Sequence, residues 1–155
     1  MAENLIVADG SKHDKYELLY RQVAAVVDSE SDEIANMANI CSMIHHTFNF
    51  WWIGFYRLVG NELVLGPFQG PMACSRIGYG KGVCGTAWQQ MCTQVVDDVD
   101  KFPGHIACSS ASRSEIVVPV IRNGSVVGVL DIDSEHLATF DDVDKEWLER
   151  IVALL

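Results

Sequence analysis

The stretch "FWWIGFYRLVGNELVLGPF", Phe50–Phe68, is where the chain changes period. Upstream of it, apolar residues recur every three or four positions. Within it they alternate, aromatic and β-branched side chains are dense, and Gly60-Asn61 separates two apolar runs. Alternation on both sides of such a dipeptide predicts a β-hairpin. The alternation places Trp52, Gly54 and Tyr56 on one face of the first strand and Trp51, Ile53 and Phe55 on the other. One set belongs to a core, and the other can wall a pocket for a small apolar or cationic group, since aromatic rings suit both.

Working outward, Tyr16, Leu19, Val23 and Val26 or Val27 mark an amphipathic helix from Ser11 to about Val27. A second helix is predicted from about Asp32 to Phe48, with Ile34, Met37, Ala38, Cys41, Ile44 and Phe48 as its stripe and Ser31 as its N-cap. Downstream, strands are predicted at about Ala73–Ile77, Thr93–Asp97, Glu115–Ile121 and Ser125–Asp133. Asn123-Gly124, suited to a two-residue type I′ turn, joins the last two. Gly82–Met91 reads as a short helix, and Asp97–Arg113 as a long connection of the kind that carries function. The closing "TFDDVDKEWLERIVALL" places Val143, Trp147, Leu148, Ile151 and Leu154 or Leu155 on one stripe, capped by Thr139 or Asp141. Trp88 and Trp147 read as core anchors of their helices. The sum is a single α+β domain spanning 1–155: a central, mainly antiparallel sheet with N- and C-terminal helices packed on one face and loops on the other.

Composition narrows the function. Of 155 residues, 49% are hydrophobic and 21% charged, as in an ordinary globular chain. The formal charge of −10, with only eleven scattered Lys and Arg, argues against nucleic acid or an anionic membrane surface as partner. No apolar run approaches the roughly 20 residues that span a bilayer. The N-terminus lacks the basic flank and apolar block of a signal peptide, which predicts a cytoplasmic protein. Five cysteines, an odd count in such a chain, do not suggest a structural disulfide framework, and no Cys/His spacing fits zinc. The glycine-rich run around Cys74 and Cys84 lacks the Gly-Lys-Ser/Thr of a phosphate cradle.

The chemistry concentrates in three places. Cys108 lies in "GHIACSSASRSEIVVPV", where Ser109, Ser110, Ala111 and Ser112 replace the apolar neighbours that a packing thiol prefers. Cys74 and Cys84 sit among glycines that permit tight turns and close backbone approach. A second thiol that can meet the first would trap a sulfenic acid as a disulfide. In "GVLDIDSEH", Asp131 and Asp133 are two apart in a strand and so share a face. Glu115 begins the strand across the Asn123-Gly124 hairpin, so all three acids can converge to bind a cation or supply a proton. Cys41 reads as core, and His45, His46 and Cys92 as structural or surface residues.

These motifs, with "LGPFQG", "GVCGTAW", "DVDKFPGHIAC" and "LDIDSEHLATFDDVD" in this order and spacing, resemble the free methionine-(R)-sulfoxide reductases, which are GAF-domain enzymes. The resemblance covers about residues 15–155 and leaves 1–14 as an N-terminal extension. It implies a thiol-dependent oxidoreductase that reduces free L-methionine-(R)-sulfoxide, with thioredoxin or another dithiol supplying electrons and no metal or organic cofactor. It implies Cys108 as nucleophile, Cys74 as resolving thiol and Cys84 as a third thiol able to join disulfide exchange. Glu115, Asp131 and Asp133 would bind the substrate's ammonium and polarise or protonate the sulfoxide, and Trp52 and Tyr56 would line the pocket around its side chain. The family is often dimeric, which allows a homodimer. The competing reading is a non-catalytic GAF module that senses a small molecule, although no residues are left for an output domain.

Overall fold

The computed structural model describes residues 4–108 and 110–155. Residues 1–3 of the expected extension and Ser109 of the cysteine loop lie outside them. The elements run α1 (Lys12–Asp28), α2 (Glu33–Phe48), β1 (Trp52–Val59), β2 (Glu62–Gln69), β3 (Arg76–Gly78), α3 (Gly82–Gln90), β4 (Gln94–Val96), a 3₁₀ turn (Val99–Lys101), β5 (Ser114–Arg122), β6 (Ser125–Ser134) and α4 (Asp142–Val152). The strands form one six-stranded sheet in the order β3-β2-β1-β6-β5-β4, and its neighbouring strands all pair antiparallel. The expected α+β architecture is present.

Local chemistry explains the boundaries. Ser11 and Asp14 form a capping box at the start of α1, and Asp141 and Asp144 form another at α4. The α2 cap is Asp32, not Ser31: its carboxylate accepts from Ala35 N at 2.9 Å. The stripe of α2 also differs from expectation. Met37, Ile40, Cys41 and Ile44 are fully buried, whereas Ile34 and Ala38 are exposed. A helix advances about 100° per residue, which turns Ala38 away from the row centred on Ile40, Cys41 and Ile44. Ile34 lies in line with Cys41 but in the first turn of the helix, where it is exposed. In the β5–β6 hairpin, Asn123 and Gly124 both take positive φ, 52° and 77°, as a type I′ turn requires.

The sheet has two buried faces. Ile53, Phe55, Ile116, Val118, Leu130 and Ile132 face α1, α2 and α4, and Trp147 at 5% exposure packs into the same core. Within it Asp144, fully buried, accepts from Tyr16 Oη and Lys12 Nζ, both at 2.6 Å, and so ties α4 to α1. The opposite face, carrying Trp52, Tyr56, Val117 and Val129, is covered by α3 and the long loops. Trp51 departs from the predicted alternation. It precedes β1, so the strand's pleat does not bind it, and it turns to the loop-covered side. Trp88 is half-buried, packed against this second core and edge-on to Tyr79. No helix among the described residues is long and apolar enough to cross a membrane.

Candidate active site

Register builds the site on the loop-covered face. Glu115 of β5 pairs with Asp133 of β6, and Asp133 pairs on its other side with Trp52 of β1. Two residues along, Asp131 lies between Val117 and Gly54. A Cβ at Gly54 would run into the Trp52 ring and come within 2.6 Å of Phe68 Cβ, so only glycine lets the indole lie flat there. Trp52 stacks on Phe68 with centroids 5.5 Å apart and donates from Nε1 to Pro71 O at 2.9 Å. Tyr56 donates to Cys74 O at 2.9 Å and thereby fixes the segment that carries this cysteine.

The first turn of α3 delivers Cys84. A Cβ at Gly85 would lie 2.5 Å from Gly78 O, so glycine is what allows α3 to dock this closely on the end of β3. The Cys84 thiol and one carboxylate oxygen each of Glu115 and Asp131 all lie within 4.8 Å of one another. From the long loop before β5, Ser112 donates to Asp133 Oδ1 at 2.8 Å, and His105 Nε2 stands 3.8 Å from Glu115 Oε2. In the same loop Cys108 is joined to Cys74 by a disulfide across 34 residues, with Cα atoms 5.7 Å apart. Cys108, Cys84, Glu115, Asp131, Asp133, Trp52 and Tyr56 line one cavity. Its volume, about 60 Å³, is several times the roughly 10–15 Å³ that one water needs. The acids therefore face an open pocket rather than packed side chains.

Burial dominates the electrostatics. Glu115 and Asp131 are only 5% and 7% exposed. Desolvation, reinforced by the neighbouring carboxyls, raises the Glu115 and Asp133 pKa values well above the ordinary carboxylate range. Asp131 is likewise raised by burial but is held to about 6 by hydrogen bonds with Glu115 and Cys84. The cluster therefore keeps protons at neutral pH, with Asp131 the most readily ionised of the three. Burial and the three acids also push the Cys84 thiol upward, so it resists becoming a thiolate. Burial draws His105 downward, toward the neutral imidazole.

A disulfide closing over protonated acids and a stacked indole is a redox arrangement, and relatives share the chain that builds it. The GAF domain family matches residues 31–155. GAF domain-containing protein A of Dictyostelium discoideum is 53% identical, covering 100% of this chain and 99% of that protein. The free methionine-R-sulfoxide reductase of Saccharomyces cerevisiae is 44% identical, covering 94% of this chain and 86% of the yeast protein. A solved structure of the free methionine-R-sulfoxide reductase from Neisseria meningitidis, in complex with its substrate, is 48% identical. It superposes with a TM-score of 0.95 over 97% of this chain and 92% of that one. The chain belongs to the free methionine-R-sulfoxide reductase family of GAF-domain proteins.

Of the positions that the sequence pointed to, all eight meet here, although they come from six separate segments. Cys41 is buried in the helix-side core, its thiol raised to about 12 by burial, and Cys92 is exposed. Sequence reasoning missed His105, Ser112 and Trp51. Ser112 and His105 sit in the same loop as Cys108, a signal that could have drawn them into a reductase-family site. Only the fold shows that their side chains turn toward Asp133 and Glu115.

Proposed function

We propose that the protein reduces free methionine-R-sulfoxide to methionine through Cys108. The disulfide between Cys74 and Cys108, at the pocket that holds buried Glu115 and Asp131 and half-buried Asp133, is the observation that carries this reading. The relatives' enzyme name supports it.

In the reduced protein, the Cys108 thiolate attacks the sulfoxide sulfur while a protonated carboxyl, Glu115 or Asp133, hydrogen-bonds to the sulfoxide oxygen and protonates it. Oxygen passes to Cys108 as a sulfenic acid, and the substrate sulfur leaves with its electron pair as methionine. The Cys74 thiol then displaces that oxygen as water, forming the disulfide. Thioredoxin or another dithiol reduces this by exchange, supplying the two electrons that the sulfoxide consumed. Such a cycle draws on thiols and carboxyls alone and suits the reducing cytoplasm. Ionised Asp131 receives the ammonium of a free amino acid, a group that methionine within a peptide lacks, and Trp52 and Tyr56 wall the thioether chain. Cys84, with its raised pKa, serves in exchange after the chemical step rather than as the attacking thiol.

Racemic free methionine sulfoxide incubated with the protein and dithiothreitol tests the reading. Methionine should form and stop at half conversion. A domain that only binds small molecules would produce none, and conversion of both epimers or of peptide-bound sulfoxide would overturn the assignment.

A further inference from the structure

We propose that Cys84, Glu115 and Asp131, with His105 as fourth donor, form a binding site for one thiophilic divalent cation such as Zn²⁺. The three core donors come from α3, β5 and β6, and their ligand atoms lie within 4.8 Å of one another although no zinc-like spacing exists in the sequence. Zinc holds sulfur at about 2.3 Å and oxygen or nitrogen at about 2.0–2.2 Å, so tetrahedral donors stand roughly 3.3–3.8 Å apart. These three donors need to close by at most about an ångström, and His105 joins them by a turn of its loop side chain.

A second observation points to a ligand independently of the clustering. Asp131 is 93% buried, yet its Oδ1 has no hydrogen-bond partner among the described residues. A buried oxygen without a partner is costly, and the cavity is where a partner can enter. His105 Nε2 stands 3.8 Å from Glu115 Oε2 at the wall of the same cavity. One thiolate, one imidazole and two carboxylates form a donor set that selects Zn²⁺ or Co²⁺ over Mg²⁺ or Ca²⁺, which prefer oxygen alone. Binding expels the Cys84 and Glu115 protons to solvent and occupies two of the acids that the proposed reaction uses. On that reading of function, the ion inhibits by competing with the sulfoxide. The binding itself does not depend on that reading.

The two are separated by working with the disulfide form, which turns nothing over and has Cys74 and Cys108 engaged, in a Cys92→Ser background that removes the exposed thiol. Titration with Co²⁺ should produce a near-ultraviolet thiolate-to-cobalt charge-transfer band saturating at one equivalent, reversed by Zn²⁺ and not by excess Mg²⁺. Cys84→Ser should abolish the band, and Asp131→Asn, which preserves volume and fold, should weaken Co²⁺ binding at least tenfold. No band, a band that survives Cys84→Ser, or a loss of less than tenfold in Asp131→Asn overturns the site.

Discussion

Glu115 stands directly opposite Asp133 in the β5–β6 ladder, on the face that carries the pocket. Like charges at directly opposed positions destabilise a sheet. The fold tolerates the pair because burial keeps protons on it. Protonated carboxyls are also what a sulfoxide oxygen needs, so the arrangement that is poor for stability is the one suited to catalysis.

The same burial makes stability depend on pH. Asp131 has a folded-state pKa of about 6, above its ordinary 3.8. The folded protein therefore holds this proton more tightly, and the contribution, complete below the ordinary value, is lost as pH rises through about 6. Asp131→Asn should be more stable than the parent by about 1–3 kcal/mol at about pH 8, with the gap closing toward about pH 4. Urea unfolding at the two pH values measures it, and a gap independent of pH would sink the idea.

Glu115→Gln should keep the circular dichroism spectrum of the parent yet lower kcat by about 100-fold, the size expected for loss of a positioned proton donor. In the parent, activity should fall on the alkaline side as Glu115 and Asp133 lose their raised-pKa protons. Rate profiles across pH check both, since the alkaline limb should shift in the variant.

Cys108→Ser should release no methionine. Cys74→Ser should release about one equivalent per protein chain and then stall with thioredoxin, leaving a sulfenic acid that mass spectrometry detects. Sustained thioredoxin-dependent turnover in either variant contradicts the proposed cycle.

Gly54→Ala should push the Trp52 ring off Phe68, because the new methyl would occupy the space between them. Overpacking of this kind costs about 1–3 kcal/mol. The expected signature is altered tryptophan fluorescence together with a raised KM for the sulfoxide, both read on the same preparation.

Asp144→Ala removes the shared acceptor of Tyr16 and Lys12 and strands the buried Tyr16 hydroxyl between α1 and α4, while the partly exposed Lys12 keeps Thr139 O and Asp141. The loss should be about 1–3 kcal/mol, the cost of a buried donor left without its acceptor. Thermal unfolding reports it, and specific activity below the transition should match the parent because Asp144 lies on the helix side of the sheet.

Much of this protein is written in local pattern. The switch from helical to alternating period at Phe50 marks where helices give way to sheet, and the turns at Gly60-Asn61 and Asn123-Gly124 set the two hairpins. With strand alternation they also put Asp131, Asp133 and Glu115 on one face, because a pleat repeats every two residues whatever surrounds it. The α2 cap and the edge of its stripe are not legible locally, since Ser31 and Asp32 are both good caps by residue type and Ile34 and Ala38 are apolar whether or not they pack. Only contacts distant in sequence could show which face of β1 meets the helices and that Trp51 leaves it. Tertiary structure likewise decided that α3 lowers Cys84 onto the acids and that the loop before β5 brings Cys108 to Cys74 and Ser112 to Asp133. Those relations depend on how separate segments dock, where burial replaces water around each charge. That exchange raised the pKa of all three carboxyls and made Glu115 and Asp133 the groups that hold protons at neutral pH.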